Sequence, residues 1–156
     1  MYLTDHTDYS LRVLMYLNQR RNLVTLNELA VSLKISKNNL IKVSHQLAKI
    51  GLIETSRGRS GGIWIHPGAG EKSLREIVLQ TEESFRPAEC FSGRKCECTF
   101  LPACGLKKTL AGALTAFLDA LAMTTLNDVT PRTSGASLQP RARGNPSEAR
   151  RRRTPN

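Results

Sequence analysis

Hydrophobic and polar residues follow the period of short α-helices along the first fifty positions of the chain. Apolar side chains recur every three or four residues in three segments, Tyr9–Asn18, Thr25–Leu33 and Lys37–Ile50. The buried side of the third segment is expected to consist of Leu40, Ile41, Val43, Leu47 and Ile50. The pattern therefore predicts three consecutive amphipathic helices.

Residues at the ends of these segments fit helix caps. Thr7 or Asp8 is expected to cap the first helix, because a side-chain oxygen there accepts hydrogen bonds from the free amides of the first turn. A T-x-x-E capping box begins at Thr25, and Ser36 is expected to cap the third helix. Gly51 follows the third helix at a position where glycine commonly ends one.

The second and third helices are joined by a turn of only a few residues, which is typical of DNA-binding helix-turn-helix proteins. The second helix of such a motif lies in the major groove, where its exposed N-terminal residues meet bases and phosphates. The residues expected to do so here are Ser36, Lys37, Asn38, Asn39 and Lys42. An ordinary helical hairpin with a solvated face is the alternative.

Two short apolar segments, Leu52–Thr55 and Ile63–Ile65, predict a β-hairpin after the helices. The glycine-rich segment between them permits a tight turn and carries Arg57, Arg59 and Ser60 as candidate DNA contacts. Arginine is attracted to narrow minor grooves by their negative potential. A helix-turn-helix followed by a basic hairpin is a winged helix, which we favour over a plain surface hairpin.

A helix over Ser73–Gln80, which begins with a second capping box formed by Ser73 and Glu76, and a loop over 81–89 are predicted next. After residue 104 comes the most regular apolar stripe of the chain, formed by Leu106, Leu110, Ala113, Leu114, Phe117, Leu118 and Leu121. The stripe predicts a long helix. We interpret it as a dimerisation helix, because the preceding part has its own core and two-fold DNA sites require a dimer. The predicted fold class is mainly α: a winged helix-turn-helix with a two-stranded β wing and a long C-terminal dimerisation helix.

Composition divides the chain into four parts: a DNA-binding domain (1–80), a cysteine-rich loop (81–104), the dimerisation helix and end of the fold (105–130), and a basic tail (131–156). Pro, Gly, Ser and Arg dominate the tail, which predicts disorder. Residues 1–70 contain nine Lys or Arg and four Asp or Glu, within a formal net charge of +10. This positive excess indicates a polyanionic partner, of which DNA is the usual one.

No run approaches the roughly 20 apolar residues that a membrane span requires, and the first residues lack the apolar core of a signal peptide. We therefore expect a cytoplasmic protein with no membrane partner. No nucleophile–base pair or carboxylate dyad stands out, and His6, His45 and His66 are scattered. An enzyme is therefore not expected.

All four cysteines lie within fifteen residues, at Cys90, Cys96, Cys98 and Cys104. In a cytoplasmic protein, clustered cysteines are metal ligands or redox groups more often than disulfides. Their spacing lacks the C-x2-C pairs of common zinc sites. Thiolates in a glycine-containing loop suit an iron–sulfur cluster, and a zinc site that only stabilises a DNA-binding module is the minor alternative.

Several stretches together resemble a known family. LTDHTDYSLRVLMYL, NNLIKVSHQL in the third helix, RGRSGG in the hairpin, and ECF followed by C-x5-C-GLKKTL are similar to the NsrR/IscR family of iron–sulfur winged-helix repressors. The resemblance covers about residues 1–130. Within the family it is greatest to the nitric-oxide-sensing members, through NNLIKVSHQL and Asp8.

The resemblance implies that three cysteines, matching Cys90, Cys98 and Cys104, hold an iron–sulfur cluster. The fourth ligand it implies is an aspartate of the other subunit, matching Asp8, which overrides a role for Asp8 as a cap alone. Cys96 departs from the family pattern and is the alternative to Cys98. We favour a 4Fe–4S cluster over a 2Fe–2S cluster.

The function implied by the resemblance is a homodimeric repressor that binds palindromic operator DNA while its cluster is intact. Nitric oxide is expected to attack the cluster, displace protein ligands and release the operator. An iron-responsive or cluster-assembly regulator of the same family is the alternative.

Overall fold

The computed structural model describes residues 3–58, 61–93 and 96–131. The described helices are α1 Asp5–Arg20, α2 Leu26–Leu33, α3 Lys37–Lys49, α4 Leu74–Thr81, α5 Gly105–Ala122 and α6 Leu126–Val129. Strands β1 Ile53–Ser56 and β2 Gly62–Ile65 form an antiparallel pair between α3 and α4. Short 3-10 turns cover Ala69–Glu71 and Glu89–Phe91. The prediction of a mainly α, winged helix-turn-helix fold with a two-stranded wing is confirmed. The predicted tail (131–156) lies outside the described residues from position 132 onward.

Helices α1, α2 and α3 share a core built from the periodic apolar residues of the sequence. Leu14, Leu17, Leu29, Leu40 and Leu47 are fully buried. Burying a leucine side chain stabilises a fold by about 1.5–3 kcal/mol. This core therefore fixes α3 against α1 and leaves the opposite face of α3 open to solvent.

Helix α1 begins four residues earlier than predicted, and its cap is neither Thr7 nor Asp8. Thr4 is extended, and its hydroxyl accepts a hydrogen bond of 3.3 Å from the Thr7 amide. Thr7 is fully buried, and Asp8 lies exposed within the helix. The prediction of the cap was wrong because Thr4 is held by Glu82, a contact that local sequence does not reveal.

The caps of α2 and α3 agree with the sequence in part. Ser36 caps α3 as predicted, accepting a backbone hydrogen bond of 3.3 Å. The hydroxyl of Thr25 accepts from the Glu28 amide at 3.1 Å. The Glu28 carboxylate, however, accepts from the Tyr16 hydroxyl at 2.8 Å. In a capping box this carboxylate would accept from the Thr25 amide. Here it instead forms a hydrogen bond that joins α2 to α1.

Ile41 is the residue of α3 whose predicted burial is wrong. It is 54% exposed. The buried residues Leu40, Val43, Ser44 and Leu47 follow the i, i+3, i+4, i+7 spacing of one helical face. Ile41 is rotated about 100° from Leu40, so it lies beside the buried face and points to solvent.

The wing is attached to the helices through a third extended segment. Val24 and Ile63 exchange two backbone hydrogen bonds, each of 2.9 Å, just before α2 begins. At the tip, a Cβ atom on Gly61 would lie 2.5 Å from the Ser56 carbonyl oxygen. The turn therefore requires glycine at this position.

The long helix α5 is confirmed, but none of its residues is fully buried. Its contact with α4 includes an ion pair of 3.1 Å between Arg75 and Asp119. Leu110, Leu114, Phe117, Leu118 and Leu121 are half-buried. Leu106 is 67% exposed. Among the described residues, no helix combines the length and apolar character needed to cross a membrane.

Helix α6 returns the chain to α1 and was not predicted. Leu126 is fully buried, and its amide donates to the Lys72 carbonyl at 3.0 Å. The Asn18 amide group donates to Asn127 and to Thr130, each at 2.9 Å. The segment after α5 therefore docks on the C-terminal end of α1.

Candidate nucleic-acid interface and metal centre

The outer face of α3 carries the residues predicted to contact bases and phosphates. Ser36, Lys37, Asn38 and Lys42 are exposed, and Asn39 is half-exposed. Ser36 also caps the helix, so its hydroxyl oxygen is partly engaged. The structure places these side chains away from the core, and their contact with DNA stays a prediction.

A cavity flanks α3 on each side. The first, of about 480 Å³, lies between α3 and the ends of α1 and α4. The second, of about 500 Å³, lies between α3, α2 and the wing. Ile41 and His45 line both cavities, so they form the ridge between them. Ser44 also lines the second cavity, and its buried hydroxyl has no partner within the described part of the chain.

Three residues at the wing tip were predicted to contact DNA, and one of them lies within the described residues. Arg57 is exposed at the end of β1. Arg59 and Ser60 lie outside the described residues. The Gly61 amide donates to the Gly58 carbonyl at 3.0 Å, which closes the turn beside Arg57.

The four cysteines are free thiols on the segment between α4 and α5. Cys98 is exposed, whereas Cys90, Cys96 and Cys104 are half-buried. Cys104 caps α5, and its sulfur accepts a hydrogen bond of 3.4 Å from the Lys107 amide. The described residues contain no group of three or more His, Cys, Asp or Glu side chains arranged to hold a metal ion.

One contact brings the two ends of the cysteine segment together. The Lys107 ammonium nitrogen lies 6.0 Å from the centroid of the Phe91 ring. Phe91 follows Cys90, and Lys107 lies in the helical turn that Cys104 caps. The regions of the first and last cysteines are therefore neighbours, although three thiols do not converge.

Asp8 lies on the exposed side of α1. Its carboxylate accepts from Arg12 at 3.3 Å, and its side chain is 54% exposed. Arg12 also donates to the Leu33 carbonyl oxygen at the end of α2. Asp8 is accessible to a second subunit, and its role as a ligand stays a prediction.

The donor chemistry of these residues fits an iron–sulfur cluster. Cluster irons are held by cysteine thiolates, and backbone hydrogen bonds to sulfur tune the centre. Cys90, Cys98 and Cys104 are unpaired thiols, and Cys104 already accepts a backbone hydrogen bond at the start of a helix of 18 residues. That these three residues, with Asp8 of a second subunit, hold such a cluster stays a prediction.

Sequence reasoning missed a junction at the end of α4. The Glu82 carboxylate accepts from both the amide and the hydroxyl of Thr4, at 2.9 and 3.0 Å. Two residues earlier, the Gln80 carbonyl accepts from the Gln46 side chain of α3 at 3.2 Å. Both contacts join residues far apart in the chain, so no local pattern signals them. The segment that enters the cysteine loop is thereby attached to α1 and to α3.

Comparison with known proteins gives concordant results. The model of the Rrf2 family, described as an iron-dependent transcriptional regulator, matches residues 3–132. The HTH-type transcriptional regulator NsrR of Bacillus licheniformis is 45% identical over 131 residues, which span 83% of this chain and 92% of that protein. The protein of the same name from Bacillus subtilis is 43% identical over 131 residues, with 83% and 90% coverage.

The fold also matches a solved structure. The crystal structure of Staphylococcus aureus CymR superposes with a TM-score of 0.65 at 23% identity, covering 83% of this chain and 98% of that one. The resemblance to the NsrR/IscR family is confirmed by the curated relatives, which are transcriptional regulators and not enzymes. The chain belongs to the Rrf2 family of transcriptional regulators.

Proposed function

We propose that this regulator is a cytoplasmic repressor that binds palindromic operator DNA as an iron–sulfur homodimer and releases it in response to nitric oxide. One observation carries the proposal, namely the junction at Gln80 and Glu82. It attaches the start of the cysteine segment to both α1 and α3 by hydrogen bonds. The resemblance to nitric-oxide-sensing repressors and the relatives named NsrR support the choice of signal.

The cysteine segment is the proposed sensor. When bound, the cluster supplies iron atoms with which nitric oxide reacts. The thiolates of Cys90, Cys98 and Cys104 would hold it, and 4Fe–4S is favoured over 2Fe–2S. Asp8 of the second subunit would complete the site with a weak oxygen ligand.

The chain's own residues connect the segment to DNA binding. While the three thiolates are held, the segment after Glu82 has fixed ends, and Glu82 keeps Thr4 at the start of α1. If the three thiolates were no longer held, the segment would be free to move, and the hold of Glu82 on Thr4 would loosen. The Gln80–Gln46 bond transmits the change to α3. Because two recognition helices must match the spacing of two half-sites, a small rotation of each lowers operator affinity.

The exposed side of α5 is the proposed dimer interface. Its apolar stripe is only half-buried within one chain, and Leu106 remains largely exposed. A second copy would bury this surface by a two-fold contact. The proposal requires that this dimer place the exposed Asp8 of one subunit at the cysteine segment of the other.

A second signal deserves a direct comparison, because the family description is that of an iron-dependent regulator. In that case, loss of iron from the protein would control DNA binding. Zinc in place of iron is the remaining alternative, and it would leave a colourless protein with no sensing.

The test begins with anaerobic purification, followed by absorbance and EPR spectra and metal analysis. Operator release is then measured under nitric oxide and, separately, under an iron chelator. We expect a coloured iron–sulfur protein that releases DNA at stoichiometric nitric oxide and resists chelation on the same timescale. Release by the chelator alone would favour iron sensing, and a colourless zinc protein would exclude the cluster.

A further inference from the structure

Ile41 occupies an unusual position on the solvent-exposed side of α3. It is an apolar, β-branched side chain with 54% of its surface exposed. Its neighbours one turn away on this side are Lys37, Asn38 and His45, which are all exposed and polar. Single exposed apolar residues are common on protein surfaces, so exposure alone does not assign a role.

The surroundings of Ile41 distinguish it from an incidental surface residue. Together with His45 it forms the ridge between the cavities of about 480 and 500 Å³ on the two sides of α3. The major groove is about 12 Å wide and admits a helix with its side chains. If the major groove were centred on this ridge, the two phosphate backbones that border the groove would lie next to the two cavities. Ile41 would then face the base edges.

The base edges in the major groove offer one kind of apolar group that Ile41 could contact. Base pairs present hydrogen-bond donors and acceptors there, and the C5-methyl group of thymine is the apolar exception. Ile41 carries neither a donor nor an acceptor in its side chain. We infer that Ile41 is a sequence-reading residue that contacts a thymine C5-methyl group in each operator half-site. The inference rests on the DNA-binding function proposed above and does not depend on the signal that controls it.

The residues around Ile41 favour DNA rather than a protein as its binding partner. The flanking residues Lys37 and Lys42 are exposed cations on the same helix, and residues 1–70 carry an excess of positive charge. An interface core between proteins is usually depleted of lysine. The apolar contact is therefore set within a face suited to a polyanion.

The experiment removes the methyl group and the isoleucine separately. Holoprotein is used to select binding sequences from random duplex DNA that contains no 5-methylcytosine, so that thymine is the only source of the methyl group. Each thymine of the selected half-site is then replaced by deoxyuridine, which lacks only the methyl. Affinities are measured for the wild type, for Ile41→Ala and for Val31→Ala, a matched control on α2 that is 63% exposed.

The wild type is expected to lose about four-fold in affinity per half-site at one thymine position, the factor associated with burial of one methyl group. Ile41→Ala is expected to bind the thymine duplex more weakly and to be indifferent to deoxyuridine at that position. Val31→Ala is expected to behave as the wild type. Because Ile41 is half-exposed, its replacement should leave the thermal midpoint of unfolding nearly unchanged, which circular dichroism checks.

Four results would overturn the inference. The first is that Ile41→Ala retains every deoxyuridine effect of the wild type. The second is that the wild type shows no deoxyuridine effect while still selecting a sequence. A changed oligomeric state of Ile41→Ala in DNA-free sedimentation would assign the residue to a protein contact. A protein that selects no sequence at all would overturn the DNA-binding function together with this inference.

Discussion

The amide and the hydroxyl of Thr4 donate to the same carboxylate oxygen of Glu82, at 2.9 and 3.0 Å. The contact spans 78 positions of sequence and joins the cap of α1 to the residue that ends α4. It therefore connects the helix that carries Asp8 to the start of the cysteine segment. The behaviour of Glu82 is the first means of testing this connection.

Replacing Glu82 by Gln removes the charge and weakens both hydrogen bonds from Thr4. We expect the free energy of unfolding of the apoprotein to fall by about 1 kcal/mol, as for a typical hydrogen bond. Denaturant titration measures it. The neighbouring Glu83→Gln, at an exposed position, is the matched control. Equal loss in both variants would show that the Thr4 contact contributes nothing specific.

The identity of the middle cysteine is tested by single Cys→Ser variants. Cys96→Ser is expected to retain the iron and sulfide content of the wild type, because Cys96 departs from the family pattern. Cys90→Ser, Cys98→Ser and Cys104→Ser are each expected to lose the cluster. Metal analysis and visible absorbance of anaerobic protein decide the matter. If the cluster is lost from Cys96→Ser and kept in Cys98→Ser, the assignment of the middle ligand is wrong.

The role of Asp8 across the dimer is tested by complementation. Two variants are prepared, Asp8→Ala and one in which Cys90, Cys98 and Cys104 are all Ser. The mixed dimer contains one subunit of each variant. If Asp8 binds the cluster of the other subunit, this dimer regains one site with the wild-type spectrum, because the intact cysteines of one subunit meet the intact Asp8 of the other. A ligand from the same subunit predicts no such recovery.

Asp8→Ala should have little effect on folding. The Asp8–Arg12 pair is exposed, and such pairs contribute about 0–1 kcal/mol. Asp5→Ala, in the same helical turn, is the control in both the unfolding and the spectroscopic measurements. An altered spectrum in Asp5→Ala equal to that in Asp8→Ala would point to a general disturbance of α1.

The capping box of α4 predicts a dependence of stability on pH. The Ser73 amide donates to the Glu76 carboxylate, and Lys72 donates as well. These bonds lower the pKa of Glu76 from its ordinary value of 4.5 to about 2. Because the folded state lowers this pKa, the contribution of Glu76 to stability is complete above about pH 4.5 and is lost as the pH falls through about 2. Glu76→Gln should flatten this part of the pH profile of unfolding, and an unchanged profile in that variant would contradict the prediction.

The docking of α6 is tested at Gly70. A Cβ atom at this position would lie 2.4 Å from the Asn127 side-chain oxygen, which accepts from Asn18 at 2.9 Å. Asn127 also donates to Glu71 at 2.6 Å, so it is not free to move away. Gly70→Ala is expected to cost about 1–3 kcal/mol of unfolding free energy. Gly112→Ala, where a Cβ meets nothing within 4 Å, should cost nothing, and equal losses would contradict the account of α6.

The sequence alone predicted those elements that depend on residues close together in the chain. The periods of α2 and α3, the Ser36 cap and the complete Ser73–Glu76 capping box were all visible in the sequence, as was the wing. The resemblance supplied the candidate ligands, since spacing alone left zinc and iron–sulfur sites open.

What sequence did not provide depends on contacts between distant residues. Thr4 caps α1 because Glu82 holds it, and Leu126 is buried because α6 returns to α1. Ile41 was misassigned for a different reason, since its angular position on the helix was available and argued against burial. The cysteines and Asp8 do not converge within the described part of one chain, so the ligand set needs a test with the assembled dimer.

The central claim is that nitric oxide acting at the cysteine segment releases DNA. The most direct measurement is the anaerobic operator affinity of the same holoprotein before and after stoichiometric nitric oxide, with Cys98→Ser as the cluster-free control. We predict a fall in wild-type affinity of about 5–150-fold, the usual range of coupling between two sites, and no further change in Cys98→Ser. Equal wild-type affinity before and after nitric oxide would contradict the account.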